Sequence, residues 1–102
     1  MASGTLGQAN LAAATNTTVY TVGATPTVFN VSMTNSTGYP IAVNLAVAAT
    51  GTPTAAEYLE FQTVIPPHSV LERGGLVATS GKLIVAFATI AGVSVNVYGY
   101  EG

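Results

Sequence analysis

Apolar residues recur at every second position along most of this chain, which is the period of a β-strand and not of a helix. Residues 28–34 show the pattern most clearly, because Phe29, Val31 and Met33 fall on one face of the predicted strand. Residues 41–48 alternate in the same way. No window has both the length and the apolar stripe of an amphipathic helix, so the pattern predicts an all-β chain.

Three later segments give more specific expectations. Residues 82–90 are apolar on both faces, which predicts a strand at the centre of a sheet or covered on each side. Residues 70–73 and 76–78 are predicted as two brief strands, since a pair of glycines separates them. In the segment 57–65 we expect four inward side chains, namely Leu59, Phe61, Thr63 and Ile65. Three of its side chains are expected to point outward, namely Tyr58, Glu60 and Gln62.

Segments rich in Gly, Pro, Asn and Ser separate the predicted strands, for example at residues 35–40. Residues 49–56 are the least patterned and predict an exposed loop. Seven or eight short strands are typical of an all-β, single-domain antiparallel β-sandwich. Jelly-roll and immunoglobulin-like arrangements both fit this pattern. We expect residues 16–102 to form the sandwich domain and residues 1–15 to form an extended N-terminal arm that could add a strand to a neighbouring chain.

Charge is scarce on this chain: 6% of the residues are charged and 49% are hydrophobic, whereas about a quarter of the residues of an ordinary domain are charged. A free monomer usually keeps charged residues on its surface for solubility, so this composition favours a protein that packs against neighbours. Only Arg73 and Lys82 are cationic, which excludes nucleic-acid binding through phosphate contacts and binding to a membrane surface through a basic face. No apolar run approaches the roughly 20 residues of a membrane span.

The residue types needed for catalysis are nearly absent. The chain has no Cys and no Asp, and His68 is its only histidine. A catalytic base needs a nucleophile and an orienting acid, and nothing places a glutamate beside this imidazole. One histidine and scattered glutamates do not form a convincing transition-metal site. We therefore expect a protein that is not an enzyme and has no cofactor and no metal.

Contact residues are the remaining candidates for a functional site. Tyrosine is enriched at protein interfaces, and Tyr39 and Tyr100 have the positions from which a side chain is most readily presented outward. Arg73 follows Glu72 directly, which fits either a solvated strand end or an ion pair across a subunit contact. The full set of candidate contact residues is Leu6, Leu11, Tyr39, Tyr58, Arg73 and Tyr100.

Four pieces of the chain, taken in order, resemble small structural proteins of tailed bacteriophages, notably those of marine and cyanobacterial phages. These pieces are residues 11–22, residues 31–35, residues 70–77 (Val-Leu-Glu-Arg-Gly-Gly-Leu-Val) and residues 95–101 (Val-Asn-Val-Tyr-Gly-Tyr-Glu). The resemblance spans most of the chain and implies a β-sandwich module of a virus particle.

The resemblance also implies a function and a location. It implies a capsid decoration (cement) protein, made in the host cytoplasm, that binds the capsid lattice of the virion and stabilises it. The expected partners are the major capsid protein or another virion protein, together with further copies of the chain in a homo-oligomer such as a trimer. The alternative is a tail- or fibre-associated module that binds a receptor or a glycan, with the tyrosines and the loop at residues 49–56 as its contact surface.

Overall fold

The computed structural model describes residues 3–101 and contains eight β-strands with one short 3-10 helix, Ala55–Glu57. The strands are β1 (Ser3–Asn10), β2 (Thr17–Thr21), β3 (Thr27–Asn35), β4 (Ile41–Ala48), β5 (Tyr58–Ile65), β6 (Val70–Ala78), β7 (Leu83–Ala88) and β8 (Val93–Glu101). The prediction of an all-β sandwich of seven or eight short strands is confirmed.

The strands form two four-stranded antiparallel sheets, with the orders β1-β8-β3-β6 and β2-β7-β4-β5. We call them the first and the second sheet. Every connection except β4–β5 carries the chain from one sheet to the other. The eight-stranded jelly roll has this order, whereas an immunoglobulin domain places its first two strands together in one sheet. The strand order thus decides between the two arrangements that the sequence pattern left open.

The core lies between the sheets and consists of the residues that the alternation predicted to face inward. In β3, Phe29, Val31 and Met33 are fully buried, while Asn30 and Ser32 between them are half-buried. Strand β7 lies between β2 and β4, and Ile84 and Val85 point to opposite faces of the sheet and are both buried. The prediction of a central strand at this position is confirmed.

Each of the four edge strands contains an irregularity where it pairs with its inner neighbour. The register shifts in the pairs β1–β8, β2–β7, β3–β6 and β4–β5, whereas the two central pairs, β3–β8 and β4–β7, are regular. A β-bulge twists an edge strand and disrupts its row of unpaired backbone groups, which hinders pairing with another chain. All four edges of this chain carry such an irregularity, and edge strands β1 and β2 contain no charged residue.

The bulges of β5 and β6 overturn two expectations about these strands. In β5, Gln62 adopts φ +53° and is the extra residue, so the alternation changes phase: Phe61 is exposed and Glu60 is half-buried. The prediction was wrong for both side chains. In β6, Gly75 adopts φ +68° within one continuous strand, so the two brief strands predicted here are a single bulged one.

An asparagine on the inner neighbour holds each of these two bulges. Asn44 Oδ1 accepts a hydrogen bond from the Gln62 backbone N–H at 2.6 Å, and Asn30 Oδ1 accepts one from the Gly75 N–H at 3.1 Å. These side chains satisfy backbone donors that the disrupted ladder leaves without a strand partner. The bulges are therefore ordered features of both edges.

Within the described residues, the N-terminal segment is extended but pairs within the sandwich, in contrast to the arm expected over residues 1–15. Its residues 3–10 are strand β1, which pairs with β8 of the same chain, and residues 1 and 2 lie outside the described part. Gly7 lies so close to the Val19 backbone that a side chain there would clash with the Val19 carbonyl group. Leu11 is 3% exposed and belongs to the core. This segment closes the sandwich at the β1–β2 edge.

Candidate functional site

The outer face of the first sheet has an apolar end. Tyr100 in β8 lies opposite Val28 in β3, and Val28 lies opposite Val77 in β6. The three side chains are 54%, 50% and 63% exposed, respectively. Because cross-strand partners project on the same face, they form one continuous apolar row across three strands, which we call the apolar row.

The other end of the same face is polar. Gln8 in β1, Asn96 in β8 and Ser32 in β3 form one cross-strand row, and the neighbouring row consists of Asn10, Ser94 and Thr34. Tyr98 lies between this end and the apolar row and is 38% exposed. Along β8 the outer face therefore changes from amide and hydroxyl groups to aromatic rings.

The second sheet carries a shallow apolar pocket at the start of β5. The pocket has a volume of about 330 Å³ and is lined by Ala55, Tyr58, Leu59 and Phe61. The rings of Tyr58 and Phe61 lie with their centroids 4.8 Å apart at an interplanar angle of 60°, which is a favourable tilted arrangement. The bulge at Gln62 forms this pair, because it turns Phe61 outward.

The segment between β4 and β5 crosses the outer face of the second sheet. It is mostly exposed, as predicted, and it passes close to β2, since a Cβ atom at Gly51 would lie 3.8 Å from Thr18 Oγ1. The Glu57 carboxylate anchors it by accepting hydrogen bonds from the Thr54 N–H at 2.9 Å and the Ala49 N–H at 3.0 Å. These two backbone bonds hold the pKa of Glu57 below its usual value, and the bond from Thr54 has the larger effect.

We expect this loop to be released by acid. The pKa of Glu57 is lower in the folded state, so its hydrogen bonds stabilise the loop fully above the unfolded-state pKa of about 4.3. This stabilisation is lost as the pH falls through the folded-state pKa. The amide proton shifts of Ala49 and Thr54, followed by NMR from pH 6 downward, should titrate together with a midpoint below the usual glutamate pKa. Neither amide should show this titration in the Glu57→Gln variant; a midpoint above the usual glutamate value would contradict the anchoring.

An ion pair joins the two sheets at the β5–β6 edge. Arg73 in β6 contacts the Glu60 carboxylate in β5, and Arg73 Nη1 also donates to the Leu59 carbonyl at 3.4 Å. Glu60 additionally accepts a hydrogen bond from the Thr63 hydroxyl at 2.7 Å. The Thr63 bond and the Arg73 guanidinium lower the pKa of Glu60 against the opposing effect of burial. Arg73 thus has a partner within its own chain.

The end of the sandwich that carries the β3–β4 and β5–β6 turns is organised by one buried side chain, Asn35. Its amide nitrogen lies within hydrogen-bond distance of the carbonyl oxygens of Tyr39 at 2.6 Å, Ile65 at 3.0 Å and Pro66 at 3.3 Å, which share its two hydrogens. Its Oδ1 accepts from the Thr37 N–H at 2.9 Å and from the Thr37 hydroxyl at 2.7 Å. Asn35 therefore ties two turns together and fixes the backbone at Tyr39.

The six predicted contact residues are distributed over the whole molecule and form no single cluster. Tyr39 and Tyr100 are among the most exposed large side chains, and Tyr58 and Arg73 are accessible in part. Leu11 is buried in the core and so is not exposed to a partner, whereas Leu6 is partly buried and packs against the core. The other five residues stay predictions as contact residues.

Sequence reasoning did not select Val28 and Val77, although both belong to the apolar row. The sequence did indicate that Val28 is exposed, since the alternation places it on the same outward face as Asn30, Ser32 and Thr34. For Val77 no such signal existed, because the bulge within β6 disrupts the alternation there.

Residues 3–101 contain no group of three or more His, Cys, Asp or Glu side chains placed to hold a metal ion. None of the helical segments within this part of the chain is long and apolar enough to span a membrane.

Comparison with protein-family models, curated proteins and solved structures finds no match to this chain.

Proposed function

We propose that this chain is a non-enzymatic structural protein of a virus particle, a capsid decoration protein that binds the capsid lattice and stabilises it. The observation that carries the proposal is the apolar row, an exposed band of Tyr100, Val28 and Val77 across three strands of the first sheet. Jelly rolls occur in viral capsid proteins and in lectins, so the fold is compatible with this function.

The apolar row has the properties of an assembly surface. Two of its three strands, β8 and β3, are inner strands of the sheet, so the row lies on rigid backbone and little conformational entropy is lost on binding. It contains no charged side chain, so a partner would bury it without removing a charge from water. Repeated over many copies on a symmetric lattice, even weak contacts of this kind would give high avidity.

The proposed partners are the major capsid protein or another virion protein, and further copies of this chain in a homo-oligomer. The test uses particles of the virus that encodes the chain, with added purified protein. Val77→Lys is expected to weaken particle binding at least about tenfold, since burial of this half-exposed side chain contributes on the order of 1 kcal/mol and a charge in its place adds a desolvation cost.

The matched control is Val64→Lys, because Val64 is similarly exposed at 57% but lies on edge strand β5 of the other sheet. This variant is expected to bind particles like the unmodified chain. Equal weakening by both variants would reject the apolar row as the binding surface. Cryo-EM density for this chain on the tail alone would reject the decoration function.

A tail- or fibre-associated module that binds a receptor or glycan is the second candidate. The pocket formed by Tyr58 and Phe61 beside the loop at residues 49–56 favours it, because exposed aromatic rings next to a loop are suited to binding. If this candidate is correct, Phe61→Ala reduces particle attachment to host cells while Val77→Lys does not.

A further inference from the structure

We infer that the polar end of the outer face of the first sheet is a binding site for neutral carbohydrate. A shallow groove of about 370 Å³ lies on β1 and β8, which we call the polar groove. The polar groove is lined by Gln8, Ala9, Asn10, Ser94, Val95 and Asn96. Its volume is at the small end of the range for ligand sites, which suits a short saccharide.

The two amide side chains of the polar groove are oriented by each other. Gln8 Nε2 donates to Asn96 Oδ1 at 2.5 Å across the β1–β8 pair. An amide offers two donor hydrogens and one acceptor oxygen. The bond between Gln8 and Asn96 therefore leaves both hydrogens of Asn96 Nδ2, one hydrogen of Gln8 Nε2 and the oxygen of Gln8 available to a ligand. Among the described residues none occupies these positions. Because the amides are already held in place, a ligand would lose little entropy by ordering them.

The chemistry of the polar groove selects an uncharged ligand. None of its six lining residues is charged. The nearest charged residue in the cross-strand row is Glu72, which lies beyond Ser32 on β6 and would repel an anion. Neighbouring hydroxyl groups of a sugar each donate and accept hydrogen bonds, which complements the amide and hydroxyl groups of Gln8, Asn96 and Ser94.

An aromatic ring completes the site. Tyr98 follows Asn96 by two residues on β8, so it projects from the same face about 7 Å further along the strand. Its side chain is partly exposed and provides an apolar ring surface beside the amides. The apolar C–H face of a pyranose can pack on such a ring while its hydroxyl groups reach the amides, and this combination of one apolar and several polar contacts is typical of specific ligand sites.

This inference goes beyond the decoration function and does not rest on it. The polar groove is also separate from the pocket of Tyr58 and Phe61, which lies on the other sheet. Binding to a lattice through the apolar row does not determine whether the polar groove is exposed. The two sites are therefore tested by different substitutions.

The test is an NMR titration of the full chain with four neutral disaccharides: maltose, lactose, cellobiose and diacetylchitobiose. We expect at least one of them to shift the side-chain amide signals of Gln8 and Asn96 and the signals of Tyr98. Asn96→Ala should reduce the affinity for that sugar at least about tenfold, and Tyr98→Ala should do the same. The control is Asn16→Ala, which removes an exposed amide from the connection between β1 and β2 and should leave the affinity unchanged.

The inference is overturned if none of the four sugars shifts these signals at concentrations up to about 50 mM, far above a Kd of 1 mM. It is also overturned if the shifts are confined to Tyr58 and Phe61, or if glucose 6-phosphate binds more tightly than the neutral sugars. Asn96→Ala should bind particles normally and Val77→Lys should bind sugar normally, so failure of this site and failure of the decoration function are distinguishable.

Discussion

Replacing Asn35 by alanine is expected to destabilise the protein by about 3 kcal/mol. The substitution removes all hydrogen bonds of a fully buried side chain and leaves the Ile65 carbonyl and the Thr37 N–H without these partners. An unsatisfied buried polar group costs about 1–3 kcal/mol; the Ile65 carbonyl is such a group, and the part-buried Thr37 N–H adds to the cost. For a domain of this size the melting temperature should fall by roughly 12–24 °C.

Thermal unfolding followed by circular dichroism measures this effect, and urea unfolding gives the free energy independently. The control is Asn16→Ala, since Asn16 is exposed and its replacement should change the free energy of unfolding by less than about 0.5 kcal/mol. A loss below about 1 kcal/mol for Asn35→Ala would show that Asn35 does not hold the two turns together. The NMR signals of Tyr39 should also shift in this variant, because its backbone carbonyl loses a bond to Asn35.

Replacing Gly99 by alanine is expected to have an effect of similar size for a different reason. Gly99 lies opposite Phe29 in the central β8–β3 pair, and a Cβ atom there would clash with the backbone of Val28 and Phe29. Since these atoms are backbone within a regular pair of inner strands, they cannot move aside without separating the strands. Overpacking of this kind costs about 1–3 kcal/mol, and we expect the upper end.

The matched control for this prediction is Gly38→Ala. A Cβ atom at Gly38 meets nothing within 4 Å, and its backbone is not in the left-handed region. Alanine there should therefore leave the protein as stable as before or stabilise it by up to about 1 kcal/mol, because it reduces the entropy of the unfolded chain. Equal stability of the two variants in urea unfolding would contradict the close approach of β8 to β3.

The sequence pattern was most informative where strands are regular. Phe29, Val31 and Met33 were predicted to face inward and are buried, and β7 was predicted to be central and is. Alternation succeeds in these strands because successive side chains of a regular strand point to opposite faces, so position in the sequence determines the face. The exposed Tyr39 and Tyr100 were predicted for the simpler reason that each lies in a turn or near a terminus.

Prediction failed at the bulges and at contacts between distant strands. Phe61 and Glu60 face opposite to the predicted directions because Gln62 is inserted into β5 with a positive φ, which is uncommon for a residue other than glycine. The Gly74–Gly75 pair fits a strand end as well as a bulge, so the sequence could not distinguish the two. Arg73 and Glu60 lie on different sheets, and no local pattern indicates that they meet.

The proposed sites differ in how far the sequence indicates them. The outward positions of Asn96 and Tyr98 follow from the alternation of β8, so the polar and aromatic character of this strand is readable from the chain. The partners Gln8 and Val28 are supplied by β1 and β3, which are far away in the sequence. The sites therefore exist only in the folded sheet.

By itself the amino-acid sequence determined the strands, most of their inward faces and the scarcity of charge on the surface, because these depend on neighbouring residues and on composition. The tertiary structure decided the order of the strands, the bulges on all four edges and the place of Ser3–Asn10 in a sheet of its own chain. The physical reason is that a strand carries unpaired backbone groups on both edges, and its sequence does not specify which distant strand will satisfy them.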